Sequence, residues 1–168
     1  AAACAAFWPT RAGWHLRRDG ERERAFLVRT PAEAPGLHAA QRREEVHLQN
    51  MAAALAAFEA SIAESSDAVP SDFQFHMEVA RATGNRHFAE LMSYLGTMII
   101  PRTRLRTAGD APEGRLAYLE RVHHEHESIY RAVRDRDAEA ARAAMRTHLA
   151  NSRERLRRAQ ASENGAAH

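Results

Sequence analysis

Apolar side chains return every three or four residues along most of this chain, and no stretch alternates with period two for long enough to make a strand. That pattern confines the chain to helix packed on helix, and 168 residues suffice for one domain with a real core. Punctuation between the periodic stretches sets the helix count. APG at 34–36 is expected to stop a short helix over 26–34, because Pro and Gly both disfavour continuation. A long helix over 37–64 follows, with Leu48, Met51, Leu55, Phe58 and Ile62 at helical spacing. Behind Pro70, Ser71 or Asp72 is the expected N-cap of a helix over 72–83, and Gly84 and Asn85 suit a left-handed cap at its end. A helix over 87–100 reaches Pro101, AGDAPEG (108–114) reads as a loop, and 115–133 is helical up to the polar turn RDRD. Asp137 is expected to cap a last helix over 138–160, which frays into ASENGAAH. The expected fold is all-α, an antiparallel bundle of six or seven helices. By this reading residues 1–25 are a linker or truncated tail, 26–160 form the helical domain, and 161–168 are a disordered tail.

Charge excludes more than it proposes. All 24 basic residues are Arg, beside abundant Ala, a pattern that GC-rich coding produces by itself. The formal net charge is only +2, so the arginines do not mark a nucleic-acid domain. The densest run, RERLRR at 153–158, reads as a solvated helix terminus that complements the negative end of the macrodipole. With no strands there is no β-hairpin wing, and no DNA reader is expected inside the chain. No apolar stretch approaches the eighteen residues of a membrane span. The opening AAACAAFWP lacks the basic and apolar regions of a signal peptide, and a single Cys4 excludes an internal disulfide framework. A cytoplasmic location is expected.

Chemistry concentrates in VHHEHESIY, residues 122–130. His123 and His126 are three apart and share a side, while His124 points about 160° away from His126. Leu119, Val122, Ile129 and Val133 mark the buried stripe, and His126 falls inside it. In the last helix His148 lies within the face of Ala141, Ala144, Met145, Leu149 and Leu156. In SDFQFH, Asp72 and His76 are four apart, about 40° round one helical face, and can grip one ion together. Three helices thus turn metal-capable side chains inward: Asp72 with His76, then His126, then His148. Neutral imidazoles with one carboxylate suit zinc, nickel, manganese or iron with positions left open. A second arrangement is also readable. Glu44 with His47 and Glu120 with His123 form two Glu-x-x-His pairs of the kind that build di-metal carboxylate enzymes in bundles. No paired general acid and base with a nucleophile is evident, so a non-enzymatic module is the expectation.

Taken together, DFQFHMEVARATGNRHFAEL and EHESIYRAVRDRDAEAARAAMRTHL resemble the FCD domain, the effector-binding domain of the FadR-type branch of GntR transcriptional regulators. The resemblance runs in order through Asp72, His76, Gly84, Asn85, Glu125, His126, Asp137, Ala141, Met145, His148 and Leu149. Upstream it reaches Arg29, Glu33, Ala39 and Ala40, so that it covers about residues 26–158. It implies an all-helical, dimerising domain with a divalent metal, zinc foremost, held by Asp72, His76, His126 and His148 at the bottom of a pocket. It further implies a small sugar acid or hydroxy acid as effector. Arg102 would clamp its carboxylate and Asn151, one turn beyond His148, would face the pocket. The winged-helix DNA-binding domain that accompanies this family is expected to be absent from the chain.

Overall fold

The computed structural model describes residues 34–99 and 112–166. Among them are six helices, α1 (Ala34–Arg42), α2 (Glu45–Ala63), α3 (Val69–Ala82), α4 (Arg86–Ile99), α5 (Pro112–Arg134) and α6 (Ala138–Ala166), and no strand. The all-α bundle expected from the periodicity is the fold. The short helix expected over 26–34 falls outside the described residues except at Ala34.

APG at 34–36 starts a helix rather than stopping one. In the first turn Pro35 gives up an N–H that has no intrahelical acceptor. Gly36 is buried because α1 lies almost on the α6 backbone: a Cβ on Gly36 would stand 2.5 Å from the Ala141 carbonyl oxygen and 3.1 Å from the Met145 Cβ. Gly36 permits that approach.

The single helix expected over 37–64 is broken at Arg43–Glu44. Glu44 has an extended backbone and forms a capping box with His47, whose Nδ1 accepts from the Glu44 N–H at 3.0 Å. Arginines hold the corner. Arg43 donates to the Arg134 carbonyl at 2.6 Å and Arg42 to the Thr83 carbonyl at 3.1 Å, at the C-terminal ends of α5 and α3. Arg136 returns the favour to α1 through the carbonyls of Gln41 and Arg43, at 3.4 and 3.3 Å. Guanidinium on terminal carbonyls satisfies orphan acceptors and suits the macrodipole.

Helix α3 begins before the expected cap. Asp67 Oδ1 accepts from Val69 N–H at 3.0 Å, Pro70 again sits in a first turn, and Ser71 donates to the Ala68 carbonyl at 3.0 Å. Asp72 is therefore inside the first turn of the helix rather than at its N-cap. Gly84 takes the left-handed conformation, φ +68°. Asn85 does not; its Oδ1 caps α4 by accepting from the His87 and Phe88 N–H groups at 3.0 and 3.3 Å. Asp137 caps α6 as expected, accepting from Ala140 N–H at 2.9 Å. Two ends run longer than expected. Pro112 opens α5 inside the expected loop, and α6 continues to Ala166 where fraying and a tail were expected, because ASENGA contains no proline to break it.

One core unites α1, α2, α3, α5 and α6 through Ala39, Met51, Leu55, Phe75, Val79, Ile129, Val133, Ala141 and Met145. A second cluster of Phe58, Ala68, Leu119 and Val122 adjoins the start of α3. Helices α5 and α6 run antiparallel: Glu125 faces His148 and Arg155, while the earlier Tyr118 lies under Arg155. No described helix is long and apolar enough to cross a membrane.

Candidate metal centre

Three of the side chains buried in this core are imidazoles. His76 on α3, His126 on α5 and His148 on α6 each occupy an apolar stripe and are at most 7% exposed. Their ring centroids are 4.8 to 5.0 Å apart, and each offers a nitrogen within 4.8 Å of the others. Phe75 stacks on His126 at 4.6 Å and Phe58 meets its edge at 5.6 Å, so apolar rings wall the site and fix the imidazole plane. Asp72, one turn before His76, is 1% exposed and sends Oδ1 to 3.4 Å from His126 Nε2 and 4.0 Å from His76 Nε2. The three imidazoles that the sequence placed on inward faces come together, with Asp72 beside His126 and His76.

The spacing is close to that of ligands around an ion. Two ligands at the ~2.1 Å bonds of a tetrahedral zinc stand ~3.4 Å apart, and Asp72 and His126 already have that separation. Nitrogens at the outer limit of 4.8 Å would place a central ion ~2.8 Å from each, so closure to bonding distance asks ~0.7 Å of each side chain. The donor set, imidazole nitrogen with a carboxylate oxygen, fits zinc, and equally nickel, manganese or iron.

Glu125 was missing from the expected site and stands directly behind it. His148 Nδ1 lies 2.9 Å from Glu125 Oε2. Burial alone pushes the Glu125 carboxyl up, but hydrogen bonds from His148, Arg155 and Asn151 outweigh it and hold the group at about 2. An ionised carboxylate only accepts, so the His148 proton belongs on Nδ1 and Nε2, across the ring, has the lone pair to give. Arg155 grips the same carboxylate with both Nη atoms, at 2.8 and 2.9 Å. The RERLRR run is thus not wholly solvated. Arg157 and Arg158 do pair with Glu154 on the surface, but Arg155 turns inward. No sequence signal separates it from its neighbours except that it falls seven residues, two turns, beyond His148.

Asn151 is exposed and donates its amide to Glu125 Oε1 at 2.8 Å. Arg102 lies outside the described residues. His124 is 75% exposed beside Glu127, as its angle predicted, and His123 stacks on Phe58 at 5.9 Å. The two Glu-x-x-His pairs do not make a di-metal site. Glu44 and His47 are engaged with each other in the α2 capping box, and Glu120 is exposed. Among the described residues, the metal-capable group is His76, His126 and His148.

Comparison with known proteins identifies the family. The family model described as FCD domain matches residues 36–151, which contain all four inward-facing residues. The HTH-type transcriptional regulator LutR of Bacillus subtilis (strain 168) is 30% identical over 113 residues, 67% of this chain and 51% of that protein. The chain spans about half the length of the curated relative it matches.

Proposed function

This chain belongs to the FCD domain family, and from that premise we propose that it is the metal-containing, effector-sensing and dimerising module of a GntR-type transcriptional regulator of the FadR branch. The observation that carries the reading is the convergence of three buried imidazoles within 4.8 Å, with Asp72 at ligand spacing beside them. In this reading Asp72, His76, His126 and His148 hold one divalent cation, zinc foremost. The cation supplies open Lewis-acid positions to the carboxylate of a small sugar acid or hydroxy acid. Arg102 clamps that carboxylate, and the Asn151 carbonyl accepts from a hydroxyl of the acid. The module senses rather than catalyses. Acid binding favours one of two bundle arrangements and so changes DNA affinity in a cytoplasmic homodimer, through a winged-helix domain of the full-length regulator. LutR, whose name describes an HTH-type transcriptional regulator, supports this assignment.

Native mass spectrometry with elemental analysis of the gently purified chain tests it. One ion per chain is expected, lost in a His126→Ala, His148→Ala double variant. Full occupancy in that variant removes the proposal. Calorimetric titration of small hydroxy acids against Arg102→Ala tests the clamp, for which unchanged affinity is the contrary result.

A further inference from the structure

Building on the metal reading above, we infer that Arg155 is a positioning residue of this centre: it locks Glu125 in the outer layer and thereby fixes His148 as an Nε2 ligand. The argument starts from the Glu125 carboxylate, which is next to the ligand His126 in sequence. Oε1 accepts from Asn151 and from Arg155 Nη1, both at 2.8 Å. Oε2 accepts from Arg155 Nη2 at 2.9 Å and faces His148 Nδ1 at 2.9 Å. Both oxygens are engaged by these donors, and the contact from Glu125 to the group of three imidazoles runs through His148.

Arg155 is itself held. Nη2 donates to Ser152, a buried hydroxyl, at 2.9 Å, and its guanidinium carbon stands 5.5 Å above the centre of the Tyr118 ring. Its exposure, 18%, sets it apart from Arg157 and Arg158 at 70% and 75%. A planar fork meeting two carboxylate oxygens fixes the plane of the carboxylate, which a single ammonium does not. Without the fork, Glu125 can rotate about its own side chain. It then ceases to hold the His148 proton on Nδ1, or turns an oxygen toward the cation as a competing ligand.

The test compares wild type, Arg155→Gln, Arg155→Lys and His148→Ala in the full chain, with Co²⁺ as the probe. Affinity is measured by chelator competition and coordination by the visible absorption of Co²⁺. Long-range ¹H–¹⁵N spectra of the metal-free chain report the His148 tautomer. Arg155→Gln is expected to weaken Co²⁺ binding by ~10–100-fold, the range for loss of an outer partner, to alter the absorption, and to mix the two tautomers. Arg155→Lys should fall between it and wild type. Native affinity, spectrum and tautomer in Arg155→Gln overturn the role of Arg155 and leave the metal reading standing. A wild-type chain that takes no Co²⁺ overturns both. Should Arg155→Gln fail to fold, Arg155→Lys decides, and behaviour identical to wild type overturns the inference.

Discussion

Two carboxylates on α3, Asp72 and Glu78, are equally hidden, each with a side chain 1% exposed, and live in opposite surroundings. Glu78 is enclosed by donors that reach in from exposed positions. Asn50 gives to Oε2 at 3.3 Å, Gln74 gives to Oε1 at 3.0 Å, and the Arg81 guanidinium pairs with Oε1 as well. Asp72 faces imidazole nitrogens that stand back at 3.4 and 4.0 Å. Amides and a guanidinium close on a carboxylate until hydrogen bonds form, and the charge is then satisfied by protein alone. Imidazoles held off at ligand spacing leave room between them for a cation. Burial of an acid therefore does not mark a site; the kind and distance of what surrounds it does.

The largest expected effect separates the two acids directly. Zinc added to the chelator-treated chain at a thousand times its dissociation constant should raise unfolding stability by ~4 kcal/mol. Asp72→Ala should abolish that gain, and Glu78→Gln should leave it intact. Thermal unfolding with and without zinc reads both. An equal loss in the two variants would break the comparison.

Next in size is the removal of the cation that Glu78 already has. Arg81→Ala strands a buried carboxylate on two amides and should cost about 1.5–3 kcal/mol in urea unfolding, with the zinc response unchanged. Adding Glu78→Gln to Arg81→Ala should recover part of the loss, because it removes the stranded charge. No recovery would mean that Arg81 acts through packing of its stem.

The contrast also explains how much could be read from the residues. Asp72 and His76 at i and i+4, and His126 and His148 inside apolar stripes, were legible because helical geometry alone decides which face they share. Glu125 was not, since it sits at the edge of the α5 stripe and owes its role to α6. Arg155 was hidden by composition: three other arginines lie within three residues of it, and only the fold distinguishes them. The break at Arg43–Glu44 has no Gly or Pro to announce it, because the turn is held by carbonyls of α5 and α3 that lie far away in sequence. At Pro35–Gly36 local propensity pointed the wrong way. A first-turn position and the Ala141 carbonyl, both tertiary facts, make those residues fit a helix start.

The smallest expected effect tests how the protein shares out the satisfaction of Glu78. Gln74 is exposed, so truncating it leaves no stranded donor of its own, and Arg81 still occupies the Oε1 atom that loses the amide. Gln74→Ala should therefore cost about 1 kcal/mol or less in urea unfolding. The same substitution made on Arg81→Ala should cost more, since the amide is then one of only two groups left on a buried charge. That non-additivity is the quantity to measure. Strict additivity would mean that each donor acts alone, and that Glu78 is held by independent bonds rather than by a network that closes around the charge.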